Sequence, residues 1–174
     1  IDMFPTNRFT LGGIFNDAAD IDLISCDMRA VVEDAYLIMV TTPAQYHPIV
    51  ARAMAPHLAH GQIVVLNPGR TFGTYVFGKT LRESGCRAEI VLGETDTFVF
   101  TCRCKQVGRP VIFEIKKDVK VAGHAGEHTP LLVETLSALF PSVAPAHSVL
   151  QTGLTNIGMI FHPLPILMNI TRIE

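Results

Sequence analysis

The sequence predicts a doubly wound α/β fold on a parallel sheet, followed by the start of an all-α unit. Three observations carry this expectation. Tyr36–Thr42, Gln62–Asn67 and Ala88–Gly93 are short, β-branched runs that are apolar on both parities, the pattern of strands covered on both faces. Helix-like segments separate them, so βαβ units repeat. From about His147 the texture changes to a long apolar helical stretch, which places a domain boundary near 145–148.

Taken in order, Thr10–Phe15 and Asp22–Cys26 alternate loosely and suit an antiparallel excursion. After the first buried run, Pro48–Ala59 sets Ile49, Val50, Ala53, Met54 and Leu58 at helical spacing. Pro48 fits a first helical turn, Pro56 should bend or end the helix near Ala55, and Gly61 stops the segment. Thr74–Ser84 reads as a helix closed by Gly85. Val111–Lys116 and Val119–Ala122 read as later strands. Thr129–Pro130, a cap followed by a first-turn proline, starts a helix over Leu131–Phe140 that Pro141 ends. Val149–Phe161 is the last helical stretch, followed by His162-Pro163-Leu164-Pro165. Residues 1–147 are thus expected to form the α/β domain and 148–174 to begin the helical one.

Composition narrows the function. With 174 residues, 48% hydrophobic and 17% charged, the chain can bury a substantial core and is not disordered. Lys and Arg total 14 against 16 Asp and Glu, a net charge of -2, so no basic field invites nucleic acid. The richest apolar stretch, Ile157 to Ile170, is broken by His162, Pro163, Pro165 and Asn169, so no membrane span is expected. Four cysteines are too sparse for a disulfide scaffold, which points to free thiols in a reducing cytoplasm. The chain opens on Ile1 without a secretory pattern and stops at Glu174 inside helical texture, so it reads as a piece of something longer.

In open parallel sheets, ligands sit outside the carboxyl ends of the strands. Three such ends carry loop chemistry here: Thr41-Thr42-Pro43-Ala44, Asn67-Pro68-Gly69-Arg70-Thr71 and Gly93-Glu94-Thr95-Asp96-Thr97. Ordinary turns use the same residue types; the functional reading rests on all three falling on one edge of one sheet. A dinucleotide domain also wants G-x-G-x-x-G after its first strand. Gly12-Gly13 and Gly69 with Gly73 lack that spacing, so either this is not such a domain or its first βαβ portion precedes Ile1.

His162 sits in an apolar setting between Phe161 and Pro163. A lone histidine there is more often a packed core residue, but the two prolines break the helix and present a side chain at a defined spot. An imidazole is suited to moving protons near neutral pH. Thr155, Asn156 and Asn169 are close in sequence and could line the same site. His124-Ala-Gly-Glu127-His128 matches the inverted zinc-protease pattern H-x-x-E-H. Gly123 and Gly126 put it in a loop rather than on a helix, so zinc is not expected. Cys102 and Cys104 lack a second pair to complete a site. His47, His57, His60 and His147 read as helix-end or surface residues.

Gly61-Gln-Ile-Val-Val-Leu-Asn-Pro-Gly-Arg-Thr71, Gly93-Glu-Thr-Asp-Thr97 leading to Thr101-Cys102-Arg103, Leu154-Thr-Asn-Ile157 and Phe161-His-Pro-Leu-Pro-Ile-Leu-Met-Asn169 through Arg172-Ile-Glu174 resemble, in order and spacing, the opine dehydrogenase family. The resemblance implies an NAD(P)-dependent oxidoreductase that couples an amino acid to a 2-oxo acid and reduces the resulting imine. It implies an N-terminal Rossmann domain, here without its Gly-rich start, a C-terminal helical domain, and an active site between them. His162 then occupies the catalytic histidine position, with its orienting aspartate beyond Glu174. Pro43, Ala44, Asn67, Pro68 and Gly69 would flank NAD or NADP, while Glu94, Thr95, Thr155, Asn156 and Asn169 would face the substrates. The family often has Asn-x-Asn before the histidine; here Gly158 follows Asn156 at that spacing. The implied partners are small molecules, with neither nucleic acid nor membrane, and a homo-oligomer is left open. A ketopantoate-reductase or glycerol-phosphate-dehydrogenase type would need a lysine in the second domain, and none follows Lys120. A non-catalytic Rossmann-like module binding a nucleotide or a protein is the alternative from another class.

Overall fold

The computed structural model describes residues 7–156, 158–161 and 163–171. In chain order the elements are β1 (Arg8–Gly13), β2 (Asp17–Asp20), α1 (Met28–Val32), β3 (Leu37–Val40), α2 (His47–Met54), β4 (Ile63–Leu66), α3 (Gly73–Glu83) and β5 (Val91–Thr95). They continue with β6 (Phe100–Gln106), β7 (Arg109–Ile115), β8 (Val119–Gly123), α4 (Thr129–Ser137), β9 (Val143–Pro145), α5 (Val149–Leu154), α6 (Gly158–Phe161) and α7 (Pro163–Met168).

The core sheet has the order β3-β4-β5-β8-β9. β3, β4 and β5 run parallel in register, Leu37 opposite Ile63 and Ile63 opposite Val91. β8 enters antiparallel to β5, and β9 pairs parallel to β8. The expected parallel α/β sheet therefore stands for β3, β4 and β5, with β8 and β9 running the other way.

The two-parity pattern has a direct structural cause. All four residues of β4 are buried. Val64 and Leu66 pack on one face with Ala51 and Met54 of α2 and Phe77 and Leu81 of α3. Ile63 and Val65 pack on the other face with Leu132 and Leu136 of α4. Each such aliphatic side chain removed from water stabilises the fold by about 1.5–3 kcal/mol, so β4 anchors both layers at once.

A second, more exposed sheet has the order β2-β1-β7-β6. β1 and β2 are antiparallel, as expected, but the second strand is Asp17–Asp20 rather than Asp22–Cys26. The later residues instead lead into α1, which the sequence reading missed. Asp27 caps it, its carboxylate accepting the Arg29 N–H at 3.0 Å.

Two helix boundaries also differ. Thr129 is the first residue of α4 rather than its cap, because its hydroxyl is occupied elsewhere, accepting the Gly123 N–H at 3.0 Å. The expected helix Val149–Phe161 is interrupted after Leu154. There the Thr155 hydroxyl bonds back to the Gln151 carbonyl, and the Asn156 amide turns to a distant loop. By contrast α2 stops at Met54, two residues before Pro56, as proline chemistry requires. Gly85, after α3, has φ +79 and supplies the expected left-handed stop. Among the described residues no helix is long and apolar enough to cross a membrane.

Candidate functional site

Because β3, β4 and β5 are parallel, the segments after Val40, Leu66 and Thr95 emerge on one edge. Backbone bonds lock them side by side. The Asn67 N–H donates to the Val40 carbonyl at 2.8 Å, and the Gly69 N–H donates to the Thr95 carbonyl at 3.0 Å. The Thr95 hydroxyl lies 3.0 Å from Asn67 Oδ1 and 2.9 Å from the Thr97 carbonyl.

Glu94 is the centre of this arrangement. It is 0% exposed. One carboxylate oxygen accepts the Thr74 N–H at 2.9 Å, at the start of α3. The other accepts the Thr152 hydroxyl at 2.6 Å, from α5. Burial pushes the carboxyl above its ordinary value, and the bonds from Thr152 and Thr74 oppose that shift. Thr152 itself is fully buried.

The 67–73 loop lies directly on this carboxylate, which only glycine permits at one point. A Cβ on Gly69 would come within 2.5 Å of the Glu94 side chain. Beyond it, Arg70 and Phe72 have φ +59 and +57, and the Arg70 guanidinium stands 5.5 Å from the Phe98 ring centroid. The carboxyl-terminal helices join the same loop. Gly153 of α5 faces the Phe72 backbone, where a Cβ would lie 3.2 Å from its nitrogen. Asn156 Nδ2 donates to the Thr71 hydroxyl oxygen at 3.3 Å, and Met159 Sδ is 3.5 Å from that oxygen.

Of the residues singled out in the sequence, Asn67, Pro68 and Gly69 meet Glu94 and Thr95 at this edge, and Asn156 reaches them through Thr71. Asn67, Glu94 and Thr95 are buried, so they are held by the protein's own hydrogen bonds. Pro43 and Ala44 are exposed at the end of β3. Thr155 is exposed. Asn169 is also exposed and donates to its own helix at the Pro165 carbonyl, 2.8 Å away. His162 lies outside the described residues.

Sequence reasoning missed three contributors. Thr152 was hidden inside an apolar run, and a threonine between Val149 and Leu154 was the available signal. Thr74 contributes through its backbone, which no side-chain pattern reveals. His47, read as a helix-end or surface residue, does start α2 but is 1% exposed. It packs edge-on against Phe77, and its Nε2 donates to the Thr42 carbonyl at 3.2 Å. Burial lowers its pKa, so the neutral ring is the folded form.

No protein-family model matches the chain. The opine dehydrogenase of Arthrobacter sp. (strain 1C) is 35% identical over 153 residues, covering 88% of this chain and 42% of that protein. The chain is similar in sequence to that opine dehydrogenase. The fold agrees. Octopine dehydrogenase, solved with NADH and pyruvate, superposes with a TM-score of 0.78 at 16% identity, over 98% of this chain and 46% of that one. Yersinopine dehydrogenase, solved with NADP+, gives 0.77 at 17% identity, over 95% and 42%. The core sheet is therefore Rossmann-like, and the chain spans less than half the length of the relatives it matches.

Proposed function

We propose that this chain is part of an NAD(P)-dependent oxidoreductase of the opine dehydrogenase type, which condenses the amino group of an amino acid with a 2-oxo acid and reduces the imine. The observation that supports this most is the convergence of three parallel strand ends with α5 and α6 on one loop, 67–73, within a sequence 35% identical to an opine dehydrogenase. Crevices of this type are where open α/β sheets take their ligands.

A nicotinamide cofactor would supply the hydride. The residues present suit one side of such a ligand. Pro43 and Ala44 would flank such a ligand above the buried Asn67–Gly69 segment, and the buried Thr42 hydroxyl has no partner among the described residues, which leaves a polar atom there. Glu94 acts as a positioning residue, holding the loop and α5 in place, while Asn156 and Thr155 stand on the approach to the substrates. His162 donates or accepts the proton that accompanies reduction. Residues 148–174 belong to the helical substrate domain, and the work is cytoplasmic.

The test uses the full-length protein. His162→Ala should lower kcat for 2-oxo-acid-dependent NAD(P)H oxidation by about 10²-fold or more while leaving NAD(P)H binding, followed by fluorescence, nearly intact. An unchanged rate would make His162 structural. Absence of any oxo-acid-dependent turnover, with nucleotide still bound, would favour a non-catalytic module.

A further inference from the structure

The H-x-x-E-H segment takes no part in the crevice, yet the fold builds something with it. β8 returns antiparallel beside β5, so the His124 N–H donates to the Leu92 carbonyl at 2.8 Å. A single 3-10 turn over Gly126–His128 brings His128 back to the same side. Opposite stands α3, which places Tyr75, Gly78 and Arg82 along one face. The Tyr75 and His124 rings meet edge-to-face with centroids 5.0 Å apart. The point where a Cβ on Gly78 would sit is 3.2 Å from Leu92 Cδ2, 3.7 Å from Arg82 Nη1 and 3.9 Å from His124 Nε2. Glycine at 78 therefore opens a gap between a guanidinium and an imidazole.

That gap belongs to a cavity of about 510 Å³, also lined by Leu81, Ile90, Leu92 and His128. The volume is within the range of small-molecule sites. It lies toward the amino end of β5 and the carboxyl end of α3, at the opposite edge of the sheet from the 67–73 loop. Among the described residues the Arg82 side chain has no ion pair or hydrogen bond. Among the described residues His124 Nδ1 is buried with no hydrogen-bond partner, while Nε2 is the ring nitrogen beside the gap. Glu89 also borders the cavity, but its carboxylate turns to His60 at 3.7 Å and is almost fully exposed. A cation would meet Arg82, and among the described residues no three His, Cys, Asp or Glu groups are gathered to hold a metal.

We propose that Arg82, His124 and His128 form a binding site for a small organic carboxylate, its anionic end between the guanidinium and the imidazoles and its apolar body against Leu81, Ile90 and Leu92. A guanidinium fork matches a carboxylate in geometry and charge. Burial, then Arg82 and His128, hold the His124 pKa below its ordinary value; an anion in the gap relieves this repulsion.

Titration of the protein with hexanoate, followed through the histidine ring resonances, tests this. Saturable shifts of His124 and His128 are expected at roughly millimolar hexanoate, with no comparable response to hexanol. Arg82→Met, an exposed position, should weaken binding about tenfold. Gly78→Ala, which gains helix propensity but presses on Leu92 as its methyl enters the gap, should abolish it. The proposal fails if neither ring responds saturably, if hexanol binds as well, or if both variants bind hexanoate like the parent.

Discussion

At the scale of single residues, Glu94 shows how a buried charge can organise a site. Its two oxygens join three segments that are far apart in sequence, and its charge is costly to keep in that position. Thr152→Val, nearly isosteric, removes the hydroxyl donor and should cost about 1.5–3 kcal/mol, measured by urea unfolding at neutral pH. The pH dependence has a defined sign. Glu94 has a raised pKa in the fold, so its contribution to stability is present in acid and fades as pH rises from the ordinary carboxylate value through the folded one. Glu94→Gln keeps an acceptor for Thr74 and cannot ionise, so the parent should gain on it as pH falls from about 8 to about 5. A gap that is flat or widens the other way would mean that Glu94 is no more basic in the fold than in the open chain. His47 opposes this trend, since its lowered pKa withdraws stability as pH falls below the ordinary histidine range.

Among elements, close approach of backbone decides what substitutions are tolerated. Gly93 on β5 and Gly123 on β8 are opposite each other in the sheet. A Cβ on Gly93 would meet the end of the Leu132 side chain at 2.4 Å and the Ala122 carbonyl oxygen at 3.0 Å, whereas one on Gly123 would meet the Ala125 carbonyl oxygen at 2.4 Å. A leucine can change rotamer, but the backbone carbonyl cannot move without unseating the turn before α4. Gly123→Ala should therefore lower Tm clearly more than Gly93→Ala, with a difference of about 1 kcal/mol or more. Equal losses in thermal unfolding would contradict this reading. The same turn carries Thr129, whose hydroxyl binds the Gly123 N–H, so the two sites should couple.

On the scale of the whole molecule, the carboxyl-terminal helices bear an apolar surface that the rest of the described chain leaves open. Leu154, Phe161, Ile166, Leu167, Met168 and Ile170 are each more than half exposed, a concentration of open apolar side chains of the kind found at interfaces. We expect this chain on its own to bind a hydrophobic dye and to self-associate, and a version ending at Asn156 to lose both while retaining its fold. Monomeric behaviour without dye binding in the 174-residue chain would count against a helical domain beginning near residue 148.

Much of this was legible because local chemistry and tertiary context agree. Runs such as Ile63–Leu66, apolar on both parities, can satisfy all four side chains only between two helical layers, so the class of fold follows from the sequence alone. Pro48, Pro56 and Gly85 act through their own backbone restrictions and marked helix limits without help, whereas α4 ends at Ser137, short of the Phe140 limit expected from Pro141. The strand-end loops were recognisable by composition, and a shared edge follows from parallel strands. Only the tertiary structure decided the rest. Thr129 and Thr155 surrendered their local roles because distant or neighbouring groups competed for their hydroxyls. Glu94 turned inward because Thr152, 58 residues later, supplies a donor that no local pattern reveals. The gap between Arg82 and His124 likewise exists only because β8 reverses beside β5. Periodicity and proline act within a few residues and can be read along the chain; the partner of a buried polar group is chosen by the packing of remote segments.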